Sequence, residues 1–278
     1  MAIILLSSLG VMKWQRTHRD HLSLTCLDVG HGQAILVQLP GTMNILFDAG
    51  SMYTSDVGTR IVVPFLDYIG VSRLHAIVLS HHDIDHINGV PEIVDRRRVD
   101  RVYVNDAFLS QTQTAETAKL LLRHLHEKHV RVDPVPEVIA AGPARTHMIW
   151  PVGDPNAHEG ISDNDTSLVS MIEFAGAGIL LCSDIERFAQ QQITDLHPAL
   201  KADVVVAPHH GSTRTMDAQF LPQLDASVLL CSCGKLDFTQ GRVVRRDDHA
   251  QILYTARDGA ISICIDAHGM VQTRVMKR

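Results

Sequence analysis

The stretch SHHDIDH occupies residues 80–86, directly after the apolar run LHAIVL. It contains the spacing H-x-D-x-D-H, whose polar members are His81, Asp83, Asp85 and His86. Water solvates such groups better than a protein interior does, so a buried loop of this composition needs a compensating partner. A metal ion is the first partner to consider, because imidazoles and carboxylates are common ligands of divalent cations. The alternative is a solvated polar loop in which Asp83 or Asp85 caps the following helix.

This loop lies between a predicted strand and a predicted helix. LHAIVLS is continuously apolar, as a buried strand is, whereas INGVPEIVDRR is predicted to be helical. Three further polar clusters follow predicted strands: FDAG at residues 47–50, CSD at 182–184 and PHHGS at 208–212. Loops at strand ends are where α/β folds place their chemistry. If the strands belong to one pair of sheets, all four clusters meet at one edge.

The four clusters supply enough ligands for two metal ions. His81 and Asp83 can reach one ion, while Asp85 and His86 turn to a second ion. An aspartate from CSD can bridge the two ions, and a histidine from PHHGS can complete the second site. The candidate metal ligands are His81, Asp83, Asp85, His86, Asp184, His209 and His210. Two ions roughly 3.5–4 Å apart lower the pKa of bound water and stabilise the oxygens of an in-line displacement.

The composition is that of a globular protein. The chain has 278 residues, of which 45% are hydrophobic and 20% charged. Its net charge of −6 excludes a global basic field that would attract nucleic acid. Several of the five cysteines lie in apolar runs, which predicts small buried hydrophobes. We expect one domain over residues 22–278, preceded by an apolar and basic stub over residues 1–21.

The stub begins with AIILLSSLGVM and continues with KWQRTHRDH. Its apolar part is shorter than the roughly 20 residues that cross a bilayer. No basic region precedes this part and no small-residue cleavage site follows it, so the stub is a poor signal peptide. Three interpretations stay open: a membrane-dipping anchor, an ordinary first strand, or the end of a transmembrane helix.

Six stretches occur in the order seen in metallo-β-lactamase-fold proteins: LDVGHGQAILVQLP, NILFDAGS, SHHDIDHINGV, DTSLVSMIEFAGAGILLCSD, ADVVVAPHHGS and YTARDGAISI. More narrowly, the chain resembles the C-terminal domain of ComEC-type competence proteins, which are membrane channels that admit single-stranded DNA. The H-x-D-x-D-H loop is characteristic of the superfamily, whereas LDVGHGQ and HHGS point to the ComEC branch. The resemblance spans residues 22–275 and implies an α/β (α+β) fold, a four-layer αββα sandwich with metals at one edge.

The resemblance also implies roles for individual residues. The loop at 81–86 corresponds to the metal-binding loop, Asp184 to the aspartate that bridges two metals, and the pair at 209–210 to the last metal-binding histidine. Asp48, and Asp28 in the opening motif, are assigned to supporting the ligands from outside. The implied cofactors are two divalent ions, zinc or manganese.

The implied substrate is DNA. The implied partner is the membrane channel portion of a larger protein, or a neighbouring membrane protein. In this interpretation the stub is the last transmembrane segment of the channel. The domain is then associated with the membrane and faces its extracytoplasmic side.

The chain departs from the family pattern where substrate is handled. The usual opening Asp-Val-Gly-Gln-Gly-Asp reads DVGHGQ, so that His31 and Gln33 replace a glutamine and an acid. After CSCGK, the family's Asn-x-x-Gly-His-Pro is replaced by LDFTQGRVVRRDDH. The candidate catalytic residues are Asp85, His210 and His31, with either histidine as the proton donor. The candidate substrate-binding residues are Ser212, Arg242, Arg245 and Arg246, with a solvated face as the alternative for the arginines.

The third metal-binding motif of β-lactamases carries a histidine for which this chain has no clear counterpart. His158, Asn164 and Asp165 lie in the corresponding region. A surface loop is the alternative interpretation for each of them.

The leading hypothesis is a metal-dependent hydrolase, namely a phosphodiesterase or nuclease that acts on DNA in competence-related uptake. A second hypothesis is a hydrolase of a small phosphodiester or ester on the same metals, which the acidic net charge favours. A third is a non-catalytic module that guides DNA, which the replaced Asn-x-x-Gly-His-Pro stretch favours.

Overall fold

The structure, a computed structural model, describes residues 19–112, 114–153, 161–245 and 249–276. Residues 1–18 of the predicted stub, His158 and Arg246 lie outside these ranges. Within the ranges, no helix has the length and apolar character that crossing a bilayer requires.

The described ranges contain seventeen strands and nine α-helices. The strands are β1 (Leu22–Cys26), β2 (Ile35–Gln38), β3 (Asn44–Phe47), β4 (Arg73–Leu74), β5 (Ala76–Val78), β6 (Arg98–Val99), β7 (Arg101–Val104), β8 (Arg131–Pro134), β9 (Val138–Ala141), β10 (Ala144–Trp150), β11 (Val169–Phe174), β12 (Ala177–Leu181), β13 (Val204–Val206), β14 (Val228–Cys231), β15 (Gln251–Tyr254), β16 (Ala260–Ile265) and β17 (Val271–Met276). The helices are α1 (Val63–Tyr68), α2 (Ile84–Ile87), α3 (Val90–Arg96), α4 (Asp106–Gln111), α5 (Glu116–Glu127), α6 (Arg187–Leu196), α7 (Phe220–Leu224), α8 (Lys235–Thr239) and α9 (Thr255–Asp258). A π-helical turn, Gly58–Val62, leads into α1, and two 3-10 turns occupy Asn164–Thr166 and Pro208–Gly211.

The strands form two large sheets and one small pair, β4-β6. The first sheet has the spatial order β17-β16-β1-β2-β3-β5-β7-β8, and the second has the order β15-β14-β13-β12-β11-β10-β9. Neighbours run parallel from β3 to β8 in the first sheet and from β12 to β15 in the second. The inner parallel strands are continuously apolar, as the sequence VVV of β13 illustrates, because both of their faces are covered.

Three apolar clusters define four layers. Side chains of the first sheet, such as Leu24, meet side chains of the second, such as Ile179, in a core between the sheets. Helix α5 covers the outer face of the first sheet and buries Leu125 there. Helix α6 covers the outer face of the second sheet and buries Ile193. The predicted αββα sandwich is confirmed.

The parallel halves of the sheets bring the four polar clusters to one edge. Strand β3 ends directly before Asp48, and the loop at 80–86 follows β5. In the second sheet, Asp184 follows β12 and His210 follows β13. Parallel strands end on the same side, so loops from both sheets face each other there. This edge carries the candidate site.

All five cysteines are free thiols, and Cys26, Cys182, Cys231 and Cys233 are buried. Burial raises the pKa of these four thiols, so they stay neutral. Cys264 is partly buried. The prediction of small buried hydrophobes is therefore confirmed for four of the five.

Candidate metal centre

Four side chains converge where the two sheets meet at their carboxyl edge: Asp85, His86, Asp184 and His210. Their ligand atoms all lie within 4.8 Å of one another. The Nε2 atom of His86 is 3.2 Å from Oδ1 of Asp184. The Nε2 atom of His210 is 3.4 Å from Oδ2 of Asp184 and 3.4 Å from Oδ2 of Asp85. Each of these residues, the central cluster hereafter, is at most 4% exposed.

The loop at 80–86 is held in place by close backbone packing. Asp83 precedes helix α2, so Asp85 and His86 both lie in this helical turn and are buried. Asp83 makes no side-chain capping hydrogen bond, so the capping alternative finds no support there. Gly50 of the FDAG motif permits the approach, because a Cβ atom at this position would lie 2.2 Å from the carbonyl carbon of Asp85.

Asp48 holds this loop in place through its hydrogen bonds. Its Oδ1 accepts a 2.8 Å hydrogen bond from the backbone N–H of Ser80, and its Oδ2 accepts a 2.7 Å bond from the Ser80 hydroxyl. The same Oδ2 lies 2.8 Å from Nδ1 of His86 and accepts a 2.9 Å bond from Nε2 of Gln33. With Nδ1 engaged by Asp48, the Nε2 atom of His86 is the one directed into the central cluster. Sequence reasoning noted Gln33 only as a departure and missed this contact.

The two histidines of PHHGS point in different directions. Both have left-handed backbone conformations, with φ of 46° at His209 and 59° at His210. His209 places Nδ1 3.3 Å from Oε1 of Glu186, outside the central cluster. His210 faces Asp85 and Asp184 instead. The sequence left open which of the two histidines is a metal ligand. The geometry supports His210 and gives no support to His209.

Opposite charges face each other in the central cluster. Burial alone would lower the pKa of His86, but the carboxylates of Asp184 and Asp48 outweigh it and raise the pKa well above its ordinary value. For His210, Asp184 and Asp85 likewise outweigh burial and raise the pKa to about 9. Burial would raise the pKa of Asp184, yet His210 and His86 hold it well below its usual range. Protons on the two histidines thus provide the positive charge that the carboxylates require.

Several buried atoms of this region make no hydrogen bond. They include Nε2 of His81, His86 and His210, and Oδ1 of Asp184. Buried polar atoms are normally satisfied, so the unsatisfied atoms of His86, His210 and Asp184, which lie within 4.8 Å of one another, indicate a missing partner. Two imidazoles and two carboxylates form a donor set that suits a divalent cation such as zinc or manganese. The residues of the central cluster therefore fit the metal that the sequence predicts.

His81 and Asp83 form a second, more open pair beside the central cluster. His81 is 1% exposed, and its ring centroid lies 4.2 Å from that of His86. Its Nδ1 is 3.0 Å from the Ser80 hydroxyl, and its Nε2 is 3.6 Å from Oδ2 of Asp83. The Asp83 side chain is 44% exposed. Neither His81 nor Asp83 belongs to the central cluster, so a second metal position that shares Asp184 stays a prediction.

The region of the third β-lactamase motif is used structurally. Asp165 is 5% exposed, so its interpretation as a surface residue is wrong. Its Oδ1 accepts hydrogen bonds from the backbone N–H groups of Glu186 and Ala189 at the start of α6, at 2.7 and 3.0 Å. Asn164 donates to Oε1 of Glu186 at 3.2 Å. Both side chains are therefore engaged away from the central cluster.

His31 lies at the rim of the central cluster. Its Nδ1 is 2.9 Å from Oδ2 of Asp237 on α8, and its Nε2 is 3.7 Å from Oδ2 of Asp85. Its ring centroid lies 4.6 Å from that of His210, and its side chain is 25% exposed. Asp237 was missed by sequence reasoning, because it lies in the stretch that departs from the family pattern and only the fold brings it to His31.

Asp28 belongs to the same opening motif as His31. It is half-buried near the thiols of Cys26 and Cys233. Burial is the main cause that raises the pKa of both thiols to about 12, and the charge of Asp28 adds to it. The supporting role of Asp28 toward the metal ligands stays a prediction.

A cleft of about 290 Å³ opens directly beside the central cluster. Its lining includes His31, His210, Ser212, Arg214 and Arg242. Backbone pairing joins the two loops that contribute these residues, because Ser212 bridges to Val243 and the N–H of Thr213 donates to the carbonyl of Arg242 at 2.9 Å.

The predicted arginine cluster divides in the structure. Arg242 lines the cleft and places Nη1 3.5 Å from Oδ1 of Asp237. Arg245 turns to Phe238, where its guanidinium donates to the backbone carbonyl and lies 5.2 Å from the ring centroid. The structure therefore brings Arg242 to the cleft but commits Arg245 to a contact with α8.

Comparisons with known proteins show the family of this chain. The family model of the metallo-beta-lactamase superfamily matches residues 27–233. ComE operon protein 3 of Bacillus subtilis (strain 168) is 26% identical over 268 residues, covering 91% of this chain and 33% of that protein. Competence protein ComA of Neisseria gonorrhoeae is 25% identical over 282 residues, covering 99% of this chain and 37% of that protein. The chain thus spans about a third of the length of these relatives.

Solved structures show the same fold. The metallo-beta-lactamase fold protein YhfI from Bacillus subtilis superimposes with a TM-score of 0.51 at 16% identity, covering 91% of this chain and 100% of that one. A mutant of the CmlA beta-hydroxylase gives a TM-score of 0.50 at 13% identity, covering 93% of this chain and 54% of that one. At these identities the similarity is one of architecture.

Proposed function

The chain belongs to the metallo-beta-lactamase superfamily, and from that premise we propose that it is a metal-dependent phosphodiesterase that cleaves DNA. The observation that carries the proposal is the buried central cluster beside a cleft lined by Arg214 and Arg242. Ligands for a divalent cation thus lie next to side chains that bind phosphate oxygens. A phosphodiesterase can use the first group for the attack on phosphorus and the second to hold the phosphate.

The residues that would hold metal fall into two sets. Asp85, His86, Asp184 and His210 would hold one divalent ion. His81 and Asp83 would hold a second ion, and Asp184 would be a ligand of both ions. Bound zinc or manganese supplies a Lewis acid and an activated water for the attack on phosphorus. The mixed nitrogen and oxygen donor set is compatible with either metal.

The remaining residues orient groups and move protons. Asp48 fixes the ring of His86 through its Nδ1. Asp237 does the same for His31, whose Nε2 then lies 3.7 Å from Oδ2 of Asp85 and would protonate the leaving oxygen. Of the two predicted proton donors, the geometry favours His31, because Nε2 of His210 lies between two carboxylates of the central cluster. Asp85 acts through the metal that it holds.

We assign phosphate binding to three residues that line the cleft, Ser212, Arg214 and Arg242. Arg242 and Arg214 carry the positive charge, and the hydroxyl of Ser212 adds a donor. Since the net charge of the chain is −6, attraction of a polyanion must come from such a local patch. The role of Arg246 in substrate binding stays a prediction from the sequence.

The biological setting is proposed from the relatives. Two of them are named as a competence protein and a competence operon protein, and this chain spans about a third of each. We infer that residues 22–278 act as the nuclease domain of a DNA-uptake system. In this proposal the domain is associated with a membrane channel and faces the extracytoplasmic side.

A second candidate is a hydrolase of a small phosphodiester or ester. The cleft volume of about 290 Å³ favours it, because a cleft of this size accepts a single small ligand. A third candidate is a DNA-guiding module without catalysis. The activities of the wild type toward two substrates, together with its binding of DNA, separate all three.

The experiment measures the hydrolysis of bis-p-nitrophenyl phosphate and of a DNA mixture, single- and double-stranded, with Mn²⁺ or Zn²⁺ added. Cleavage of both substrates supports the nuclease. Cleavage of the small diester alone replaces it with the second candidate. DNA binding without cleavage of either substrate replaces it with the third.

A further inference from the structure

An exposed tyrosine stands beside the cleft. The side chain of Tyr53 is 75% exposed, and its ring centroid lies 6.2 Å from that of His31, with the planes tilted by 57°. His31 in turn lies 4.6 Å from His210 of the central cluster. Tyr53 thus neighbours His31, which in turn neighbours the candidate metal ligand His210. Single exposed hydrophobic residues are common on protein surfaces, so exposure alone indicates nothing.

The loop that carries Tyr53 is held by hydrogen bonds on both sides. The N–H of Met52 donates to the carbonyl of His31 at 2.7 Å. The side chain of Asn88 accepts from the N–H of Ser51 at 3.0 Å and donates to its carbonyl at 2.8 Å. The same amide donates to the carbonyl of Thr54 at 3.3 Å. The backbone on both sides of Tyr53 is therefore fixed, and its ring is presented from a defined position.

His31 connects this aromatic ring to cations. The Tyr53 ring neighbours His31, and His31 lines the cleft together with Arg214 and Arg242. Cations that track a phosphate backbone, together with an exposed aromatic ring, are the combination that binds single-stranded nucleic acid. Bases in a duplex are stacked on each other and cannot lie on a protein side chain without being extruded.

We propose that Tyr53 stacks on an unpaired base of the nucleotide next to the scissile phosphate, which makes single-stranded DNA the preferred substrate. This inference rests on the proposed phosphodiesterase function. The phosphate at the metal centre and the base on Tyr53 then belong to neighbouring positions of one strand. Stacking needs the ring and not the hydroxyl, so Tyr53→Phe should keep most of the activity toward single-stranded DNA.

The matched control is Tyr68. It is 80% exposed, and it ends helix α1 before β4 and β5, on the edge of the sheet opposite the metal loop. Tyr68→Ala therefore removes an equally exposed ring far from the cleft. Tyr53→Phe tests whether the ring is sufficient.

The experiment measures kcat/KM for an oligo-dT strand and for bis-p-nitrophenyl phosphate with Mn²⁺. We define the ratio as kcat/KM for the oligo-dT strand divided by kcat/KM for the small diester. Tyr53→Ala should lower this ratio on the order of 10-fold, as the loss of one base stack does. Tyr53→Phe and Tyr68→Ala should keep the wild-type ratio. An unchanged ratio in Tyr53→Ala would overturn the inference.

A single abasic site, moved along the strand, gives a second readout. In the wild type, one position next to the cleavage point should slow cleavage, and in Tyr53→Ala that position should lose its effect. Identical abasic profiles in both proteins would overturn the inference while leaving the phosphodiesterase proposal intact. A wild type that hydrolyses no small diester would instead overturn the proposed function itself.

Discussion

The Nδ1 atom of His86 lies 2.8 Å from Oδ2 of Asp48, and both residues are fully buried. This contact decides which nitrogen of His86 faces the central cluster, because the engaged nitrogen cannot turn toward a metal. It also ties the loop at 80–86 to the end of β3, which is the neighbouring parallel strand.

Asp48→Asn should therefore weaken metal binding. The amide removes the negative charge beside His86. It also replaces one of the two acceptor oxygens of Asp48 with a donor, so Nδ1–H of His86 has to compete with Ser80 and Gln33 for the oxygen that remains. Loss of such an outer partner typically costs 10–100-fold in metal affinity. Competition with a chromophoric chelator measures this loss. Asp56→Asn, at an aspartate whose side chain is 47% exposed, is the matched control and should bind as the wild type does. Equal affinity in both variants would remove Asp48 from the site.

His86→Ala should abolish hydrolysis of bis-p-nitrophenyl phosphate, whereas His82→Ala should largely keep it. Nε2 of His86 enters the central cluster, whereas Nε2 of His82 lies 3.9 Å from the outward Asp83 carboxylate. Loss of a ligand from a buried cluster also leaves the carboxylates uncompensated. Steady-state rates with saturating Mn²⁺ test the pair. Equal losses in both variants would mean that the loop presents different residues to the metal.

Metal affinity should rise with pH. In the metal-free protein, His210 has a pKa of about 9 and that of His86 is raised well above its ordinary value. A cation binds neutral imidazoles, so binding at neutral pH must release protons, and affinity levels off only above about pH 9. In the metal-free state the His210 proton stabilises the fold fully below its unfolded pKa, and this stability is lost as the pH rises through about 9. Calorimetry in two buffers with different ionisation enthalpies counts the protons. A pH-independent affinity with no proton release would contradict the assignment.

Arg242→Ala should weaken DNA binding, and Arg245→Ala should not. Arg242 lines the cleft, whereas the guanidinium of Arg245 is engaged by Phe238. Removal of one phosphate contact reduces the salt dependence of binding by about one unit of slope. Binding to a labelled strand is measured over a range of salt concentrations with Ca²⁺ in place of Mn²⁺. The same slope for Arg242→Ala as for the wild type would show that Arg242 is a solvated residue.

The meeting of the polar clusters at one edge was predictable from local patterns, whereas the αββα layering was implied by the family resemblance. Apolar runs followed by polar clusters mark strands whose carboxyl ends carry function, and this rule brought Asp48, Asp85 and Asp184 to one edge. The rule works because parallel strands end on the same side, whatever their order in the sheet.

The remaining contacts depend on features that local patterns do not contain. The left-handed turn at 209–210 decides which histidine enters the cluster, and neighbouring identical residues give no signal of it. Asp237 reaches His31 across 206 positions of sequence. Arg245 is drawn to Phe238 by a contact within its own loop and helix α8. Asp165 looks like a loop residue but caps α6 from a buried position.

The central claim is that metal held by the central cluster hydrolyses phosphodiesters. The most direct measurement titrates the metal-stripped protein with Mn²⁺ or Zn²⁺, following bound metal and hydrolysis of bis-p-nitrophenyl phosphate in the same sample. We predict that the rate rises with occupancy, saturates when the sites are filled and is abolished by chelation. We also predict that Asp184→Ala binds at least one ion fewer and is inactive, whereas Asp195→Ala, at an exposed aspartate of helix α6, matches the wild type. A wild type that fills its sites yet hydrolyses no faster than free metal, or an Asp184→Ala variant with full occupancy, would contradict the claim.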